Sequence, residues 1–166
     1  MYGAMVASRR DGFRNPYYAA ALEKPSPLAG KFTRKYFHDI AGRTSGKLGL
    51  KAFLATEQRI PGLGNGCLQD ILFHAGMNPQ TRLACLDKSD LDRLHNAVRA
   101  VLADMAAQGG RDTEKDLFGN PGGCKTVMSN KNSSRSCPVC GSGIERKTCL
   151  GGRVYFCPTC QPPVSR

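Results

Sequence analysis

The chain has 166 residues, enough for one domain or two small ones and too few for one large catalytic barrel. Lys and Arg total 24 against 13 Asp and Glu, which gives a formal net charge of +11. This excess favours a polyanionic partner, nucleic acid first, and a basic surface that only confers solubility is the alternative. Because no run approaches a membrane span and the first residues lack a secretory pattern, we expect a cytoplasmic protein without a membrane partner.

The first 28 residues predict a strand remnant and a linker. A short apolar stretch, Met1–Ala7, precedes basic and turn residues, and the two prolines of residues 23–28 exclude regular structure there. Thr33 is then a good N-cap for a short helix whose apolar residues recur at helical spacing until Gly42. We therefore expect the first helix of the helical region to begin at Thr33.

Two helices separated by a glycine-rich turn follow. A helix of about ten residues is predicted from Leu50 to near Arg59, where a Pro-Gly segment ends it. The next helix is predicted to begin with Asn65 as its N-cap and to end before Pro79. The pattern therefore indicates a helix, a tight turn and a helix.

The longest helix is predicted to begin at a capping box formed by Ser89 and Asp92 and to close at Gly109 and Gly110. Its apolar stripe consists of Leu91, Leu94, Val98, Val101, Leu102 and Met105. Residues 111–136 lack any period, so we expect a long loop that is either functional or disordered.

The cysteines form the most specific motif. Four of the eight make two Cys-x₂-Cys knuckles, Cys137 with Cys140 and Cys157 with Cys160, separated by 16 residues. That separation is typical of a tetrahedral Cys₄ zinc site, whereas a pair of disulfides in a secreted protein is the alternative. We expect one structural Zn²⁺ ion. The remaining cysteines lack such spacing and are expected to pack as small apolar groups rather than act as nucleophiles; they are Cys67, Cys85, Cys124 and Cys149.

Two places in the chain are candidates for phosphate binding. Lys51 and Asn65 flank the turn containing Gly64, and a helix N-terminus behind a glycine suits an anion, although an ordinary helix corner is equally compatible with the spacing. Between the knuckles, Gly151 and Gly152 predict the two-residue turn of a hairpin. Arg153, just past that turn, could then extend toward a phosphate from a short, metal-stabilised ribbon.

These residues resemble the formamidopyrimidine-DNA glycosylase and endonuclease VIII family over about residues 22–161. Lys51-Ala-Phe-Leu, Gln58-Arg-Ile-Pro-Gly-Leu-Gly-Asn65 and the following residues to Pro79 are similar to its helix–two-turn–helix. The knuckles with Gly-Gly-Arg153 are similar to its C-terminal zinc finger. Two further segments, Glu23–Leu28 and Lys125–Asn132, look closer to endonuclease VIII-like bacterial members.

The resemblance implies a mainly α fold with a small C-terminal β-hairpin zinc finger and with the family's N-terminal β-sandwich largely missing. The expected division is a sandwich remnant and linker at 1–28, the helix–two-turn–helix domain at 29–110, a loop at 111–136, the zinc finger at 137–161 and a tail at 162–166. Met1–Ala7 is then expected to be an exposed apolar edge or disordered.

The resemblance also implies roles for single residues. Lys51, Gly64 and Asn65 would bind phosphates near a lesion, Arg153 would hold the backbone around the extruded nucleotide, and Lys115 would lie in the loop that covers the flipped base. Family enzymes begin with a Pro nucleophile beside a Glu, whereas Tyr2 follows Met1 in this sequence, so no catalytic residue is assigned.

The expected function is therefore damaged-DNA binding, by the C-terminal half of a base-excision glycosylase and AP lyase. The partner is duplex DNA with a damaged base or an abasic site, bound by a monomer associated with a bacterial nucleoid. The alternatives are a weak AP lyase that uses a different amine and a zinc-ribbon adaptor for RNA or protein.

Overall fold

A computed structural model describes residues 15–132 and 135–164. The helices are α1 (Pro16–Glu23), α2 (Arg34–Arg43), α3 (Leu50–Ala55), α4 (Asn65–His74) and α5 (Lys88–Ala107), and the strands are β1 (Glu145–Cys149) and β2 (Gly152–Phe156). Short 3₁₀ turns cover Leu83–Cys85 and Asn130–Asn132. The expected class, mainly helical with a C-terminal hairpin, is confirmed.

Helices α2 to α5 and the segments between them share one apolar core. The predicted face of α4, Leu68, Ile71 and Leu72, is fully buried. The core's members are Phe32, Phe37, Ala41, Leu50, Phe53, Leu54, Ile60, Leu63, Leu68, Ile71, Leu72, Ala75, Met77, Leu83, Leu94, Ala97, Val98, Val101, Met105 and Cys124. Of the predicted α5 stripe, Leu91 and Leu102 are partly buried and the rest are buried. Helical periodicity therefore predicted the core faces correctly.

Helix α1 and the end of α3 differ from the expectation. Residues 16–23 form a helix with Asn15 as its N-cap, where a strand remnant and linker were predicted; Met1–Ala7 lies outside the described residues. Helix α3 ends at Ala55 instead of near Arg59, because Glu57 and Gln58 have left-handed φ values of 57° and 46°. Lys24 Nζ donates hydrogen bonds to the carbonyls of both residues, at 3.4 and 2.7 Å, which stabilises this turn.

The helix starts were predicted with mixed success. Thr33 caps α2 through a bond from Tyr36 N to its Oγ1, as expected. The capping box of α5 is formed by Asp87 and Asp90 instead of Ser89 and Asp92, so the helix begins earlier than predicted. A carboxylate satisfies free amides at an N-terminus at least as well as a hydroxyl and also interacts favourably with the helix dipole.

The described part of the segment after α5 packs against the helices. The carboxylate of Asp70, in α4, accepts hydrogen bonds from the backbone amides of Val127, at 3.0 Å, and Met128, at 2.6 Å. Burial raises the pKa of Asp70, although these amides favour the charged form. Asp112 binds Thr126 and Lys131 within the same segment. The part of the expected loop around residues 126–128 thus packs on α4, and Asp112 connects the start of the loop to it.

The hairpin pairs β1 with β2 in antiparallel register, Cys149 opposite Gly152 and Glu145 opposite Phe156. Its turn consists of Leu150 and Gly151, with φ values of 48° and 69°, one residue earlier than the predicted Gly151 and Gly152. Both turn residues need positive φ in this turn type, and Leu150 accepts the strain that a glycine would avoid. No helix in the described ranges has the length and apolar character to cross a membrane.

Candidate metal centre and nucleic-acid interface

Four cysteine thiols converge at the base of the hairpin. The Sγ atoms of Cys137, Cys140, Cys157 and Cys160 all lie within 4.8 Å of one another. The Sγ atoms of Cys137 and Cys160 are 3.8 Å apart, and those of Cys140 and Cys157 are 3.4 Å apart. Zinc–sulfur bonds of about 2.3 Å place tetrahedral sulfurs about 3.8 Å apart, so this spacing suits one Zn²⁺ ion.

The chemistry of the thiols also suits a divalent cation. A hydrogen bond from Ser142 lowers the pKa of Cys140 to about 6, while the hydrogen bond shared with Cys140 raises the pKa of Cys160 to about 12. Neighbouring thiolates repel each other, so four thiolates at this spacing need a positive ion among them. A Zn²⁺ ion would stabilise the thiolate form of all four, and would add rigidity, not redox chemistry.

Buried amide side chains join the finger to the helices, and sequence analysis missed them. Gln161 is fully buried; its Oε1 accepts from Cys157 N at 3.0 Å and its Nε2 donates to Met77 O at 2.8 Å. Asn78, also buried, donates to the carbonyl of Gln161 at 3.0 Å. The only sequence signal was an amide residue beside a knuckle and another next to a helix end, which is too common to interpret.

Gln69 makes a comparable connection at the other end of the finger. It lies on α4 and is 4% exposed. Its Oε1 accepts from Tyr155 N at 2.8 Å, and its Nε2 donates to Asn65 O at 3.1 Å. The helical face that carries Leu68 and Ile71 gave no indication that a neighbouring polar residue would be buried.

Lys51 lies at the tip of the hairpin. It is buried, and its Nζ donates to the carbonyls of Cys149 and Gly152, the latter at 3.2 Å. Burial lowers the pKa of the ammonium group. A Cβ added at Gly152 would approach Lys51 Nζ to 3.2 Å, so a glycine there leaves space for the ammonium group. Two carbonyl bonds leave one of its three N–H donors for another ligand.

The first turn of α4 meets the same strand. Gly64 is the N-cap of α4 and Asn65 is the first helical residue, a correction to the prediction that Asn65 caps the helix. No side chain caps this turn, and a Cβ at Gly64 would meet nothing within 4 Å. Instead of capping, Asn65 Nδ2 donates to Arg153 O at 3.1 Å. Because Arg153 itself is exposed, free amides and a guanidinium group share this surface.

Of the five predicted contact residues, Lys115 stands apart. It is exposed on the loop after α5, and its backbone pairs with Pro121. The base of this loop does reach α4, since the Arg111 guanidinium occupies the space that a Cβ on Gly66 would fill. Arg111 also pairs with Glu114 at 2.6 Å. The structure thus brings Lys51, Gly64, Asn65 and Arg153 together and leaves Lys115 on a neighbouring loop.

Both a family profile and individual relatives match this chain. The sequence profile of the formamidopyrimidine-DNA glycosylase H2TH domain matches residues 24–116. A formamidopyrimidine-DNA glycosylase of Gloeobacter violaceus is 35% identical over 143 residues, which cover 82% of this chain and 49% of the relative. One of Thermus thermophilus is 28% identical over 165 residues, 96% of this chain and 61% of the relative. The chain therefore spans about half to three fifths of these relatives' length.

Solved structures share the fold. The crystal structure of the MutM (Fpg) protein from Thermus thermophilus superposes with a TM-score of 0.76 at 29% identity, over 89% of this chain and 57% of that one. A Lactococcus lactis Fpg, solved in complex with DNA containing an abasic site, gives a TM-score of 0.73 at 22% identity, over 89% of this chain and 54% of that one. This second similarity concerns the fold alone.

Proposed function

Because the chain belongs to the formamidopyrimidine-DNA glycosylase H2TH-domain family, we propose that it binds duplex DNA containing a damaged base or an abasic site. In this proposal it supplies the DNA-binding half of a base-excision glycosylase and AP lyase, with one structural Zn²⁺ ion and without base-excision activity of its own. It acts as a monomer on the bacterial nucleoid, in the cytoplasm. Its closer likeness to endonuclease VIII than to other members remains a prediction.

One observation carries the proposal: hydrogen bonds join the N-terminus of α4 and the hairpin into one surface that presents the predicted phosphate contacts. Asn65 Nδ2 binds the carbonyl of Arg153, so two predicted contacts are adjacent although 88 positions separate them in the chain. Lys51 Nζ is in contact with Gly152, the residue before Arg153. Helix-terminal amides, an ammonium group and a guanidinium group are the donors that bind DNA phosphates.

The relatives support the choice of DNA as the partner. Those named above are DNA glycosylases, and the Lactococcus lactis protein was solved with abasic-site DNA. The net charge of +11 is of the sign that duplex DNA attracts. Lesion-specific contacts fall to Lys115 and its loop, which the proposal places over the extruded nucleotide.

A second candidate, a weak AP lyase, is favoured by one observation. Burial lowers the pKa of Lys51, which increases the fraction of neutral amine able to attack the aldehyde of an abasic site. Against it, Lys51 Nζ donates to the carbonyls of Cys149 and Gly152, and these acceptors favour the protonated ammonium, which has no lone pair for attack. We therefore place the binding function first.

The test is a titration of the zinc-loaded protein against three probes: a duplex with one abasic site, the intact duplex and a single-stranded RNA of the same length. We expect preference for the abasic duplex and a log–log salt slope of roughly −4 to −5, from about four to six neutralised phosphates. Salt-independent binding, or equal affinity for RNA, would contradict the proposal and favour the adaptor function instead.

Borohydride trapping on the abasic duplex tests the lyase. We expect no covalent band, next to a positive control from a full-length family enzyme. A strong band that Lys51→Arg abolishes would establish the lyase and overturn the non-catalytic part of the proposal.

A further inference from the structure

We propose that Gln69 is a positioning residue that holds Arg153 and Asn65 in register with each other for phosphate binding. The inference rests on the proposed function, because it concerns how the same surface is built. Neither the sequence pattern nor the relatives' names assign this residue a role. Gln69 contacts no DNA in this account and acts only through its two neighbours.

The carboxamide of Gln69 lies at the junction of α4 and β2. Its Oε1 accepts the amide of Tyr155 at 2.8 Å, and its Nε2 donates to the carbonyl of Asn65 at 3.1 Å. Nε2 also lies 3.5 Å from the carbonyl of Arg153, which Asn65 Nδ2 binds at 3.1 Å. Three backbone groups that surround the two predicted contacts therefore converge on one side chain.

Only a carboxamide of this length meets that arrangement. It offers an acceptor to the Tyr155 amide and a donor to the Asn65 carbonyl at the same time, whereas a carboxylate has no donor and an aliphatic side chain has neither. Gln69 is 4% exposed, so a partner left without its bond would be cut off from water. The backbone on either side of Val154 is thus held in place, while the Arg153 side chain stays exposed.

Docking of the finger as a whole is the competing account, and Gln161 provides the matched control. Gln161 is also a buried glutamine with one accepted and one donated backbone bond, from Cys157 N and to Met77 O. It joins the knuckle end of the finger to the helices, and these partners are neither Arg153 nor its neighbours. The same substitution at both positions separates positioning from docking.

The experiment measures DNA affinity as a function of salt for Gln69→Met and Gln161→Met, with zinc content and circular dichroism as controls of folding. For Gln69→Met we expect up to about tenfold weaker binding, which is the effect expected for loss of the Arg153 contact through which Gln69 acts. The salt slope should also fall, by up to about 0.9, although no charge is removed, because Arg153 no longer meets its phosphate. For Gln161→Met the slope should equal that of the wild type.

A double mutant gives a second readout. If Gln69 acts through Arg153, then Gln69→Met should add little to Arg153→Ala, so the two effects are strongly non-additive. If Gln69→Met loses its zinc, Gln69→Asn replaces it, since this variant keeps the carboxamide and is one methylene too short to span the gap. The same fall in slope is expected.

The outcomes that overturn the inference are distinct from those that overturn the proposed function. Three results would each show that Gln69 only docks the finger. The first is a Gln69→Met variant with the DNA affinity and salt slope of the wild type. The others are an equal change of salt slope in Gln161→Met, and additive effects of Gln69→Met and Arg153→Ala on affinity. Failure of the wild-type protein to bind DNA would contradict the proposed function instead.

Discussion

The helical region and the C-terminal finger are stabilised by different physics. Among the residues that the structure describes, the helical core contains 20 buried residues, whereas the finger contains five buried apolar residues: Cys137, Val154, Tyr155, Phe156 and Cys157. Two of these five are themselves predicted zinc ligands. A hairpin with so little apolar burial depends on its metal and its polar connections, while the helices can fold by burial alone.

The proposed DNA contacts are divided between the helical region and the metal-dependent finger. Gly64 and Asn65 belong to the self-sufficient helices, and Arg153 belongs to the metal-dependent hairpin. Arg153 can face the helix N-terminus only if the finger is folded and docked. DNA binding should therefore respond to zinc even though zinc contacts no phosphate.

The largest effect should come from removing the metal. Chelation, or Cys157→Ser, should unfold the finger, because structural zinc contributes on the order of 10 kcal/mol to such modules. Hydrogen exchange should show loss of protection in 145–156 and retained protection in α5. DNA affinity should fall by more than the roughly tenfold expected for loss of the Arg153 contact alone, because the hairpin carbonyls that position Lys51 are lost with it.

Cys67→Ser is the control, since Cys67 is outside the metal cluster. It should keep one zinc per chain and most of the DNA affinity. If Cys157→Ser keeps full zinc content and affinity, the assignment of the metal site is wrong.

A substitution in the helical core should destabilise the helices without removing the metal from the finger. Leu94 is fully buried in α5, and Leu94→Ala should cost about 2–5 kcal/mol of unfolding free energy through lost burial and a residual cavity. Thermal unfolding followed by far-ultraviolet circular dichroism measures the loss. Because the finger binds its own metal, zinc stoichiometry at 20 °C should stay at one per chain. If zinc is instead released in parallel with a small loss of helix, the two regions fold as one unit.

Truncating the proposed contacts should weaken DNA binding with little effect on folding. Arg153→Ala should cost about tenfold in affinity and reduce the salt slope by about 0.9, since one phosphate contact is lost. Asn65→Ala should also weaken binding, because it removes the bond to Arg153 O. Arg34→Ala, which removes the same charge from the exposed surface of α2, is the matched control and should leave affinity within a factor of about two. Equal effects of Arg34→Ala and Arg153→Ala would indicate non-specific charge attraction only.

The smallest effect concerns the segment that connects the two regions. Burial alone would raise the pKa of Asp112, but hydrogen bonds from Lys131 and Thr126 outweigh it and lower the pKa to about 2. A lowered folded-state pKa adds stability above the ordinary value near 3.9, and this stability is lost as the pH falls toward 2. Asp112→Asn should therefore lower Tm by about 1–3 °C at pH 7 and by progressively less between pH 4 and pH 2.

Calorimetry of both proteins at each pH tests this expectation. The difference between variant and wild type is the relevant quantity, since both lose zinc in acid. Asp39→Asn, which removes an exposed i, i+4 pair with Lys35, should change Tm less at pH 7. A difference for Asp112→Asn that is independent of pH would exclude the charge as its cause.

Local patterns in the sequence were sufficient for the features that depend on near neighbours in the chain. The apolar periodicity of α4 and α5 predicted their buried faces, because a helix of 3.6 residues per turn fixes which side chains share a side. The spacing of the knuckles predicted which four sulfurs converge. The sequence also predicts Lys51, Gly64, Asn65 and Arg153 as contacts, with the family resemblance adding their roles.

The sequence predictions were wrong where two local conformations were both acceptable, at the N-cap of α5 and at the hairpin turn. Asp87 and Ser89 are each good caps, and the structure uses Asp87, in a capping box with Asp90. Likewise Leu150 could be forced to positive φ because the register of β1 with β2 had to place Gly152 opposite Cys149, next to Lys51. Conformational preference of a single residue is worth about 1 kcal/mol or less in such cases, so tertiary contacts override it.

The sequence by itself determined the buried faces of α4 and α5, through helical periodicity. It also predicted the metal ligands from the spacing of the knuckles, and the DNA contacts from spacing together with the family resemblance. Tertiary structure alone decided how the finger sits on the helices. Gln69, Asn78 and Gln161 look like ordinary polar residues in the sequence, and they became buried connections only when distant segments came together. A buried amide is stable only with its partners in place, and each of these side chains has a partner more than 80 positions away in the chain, beyond the reach of any local pattern.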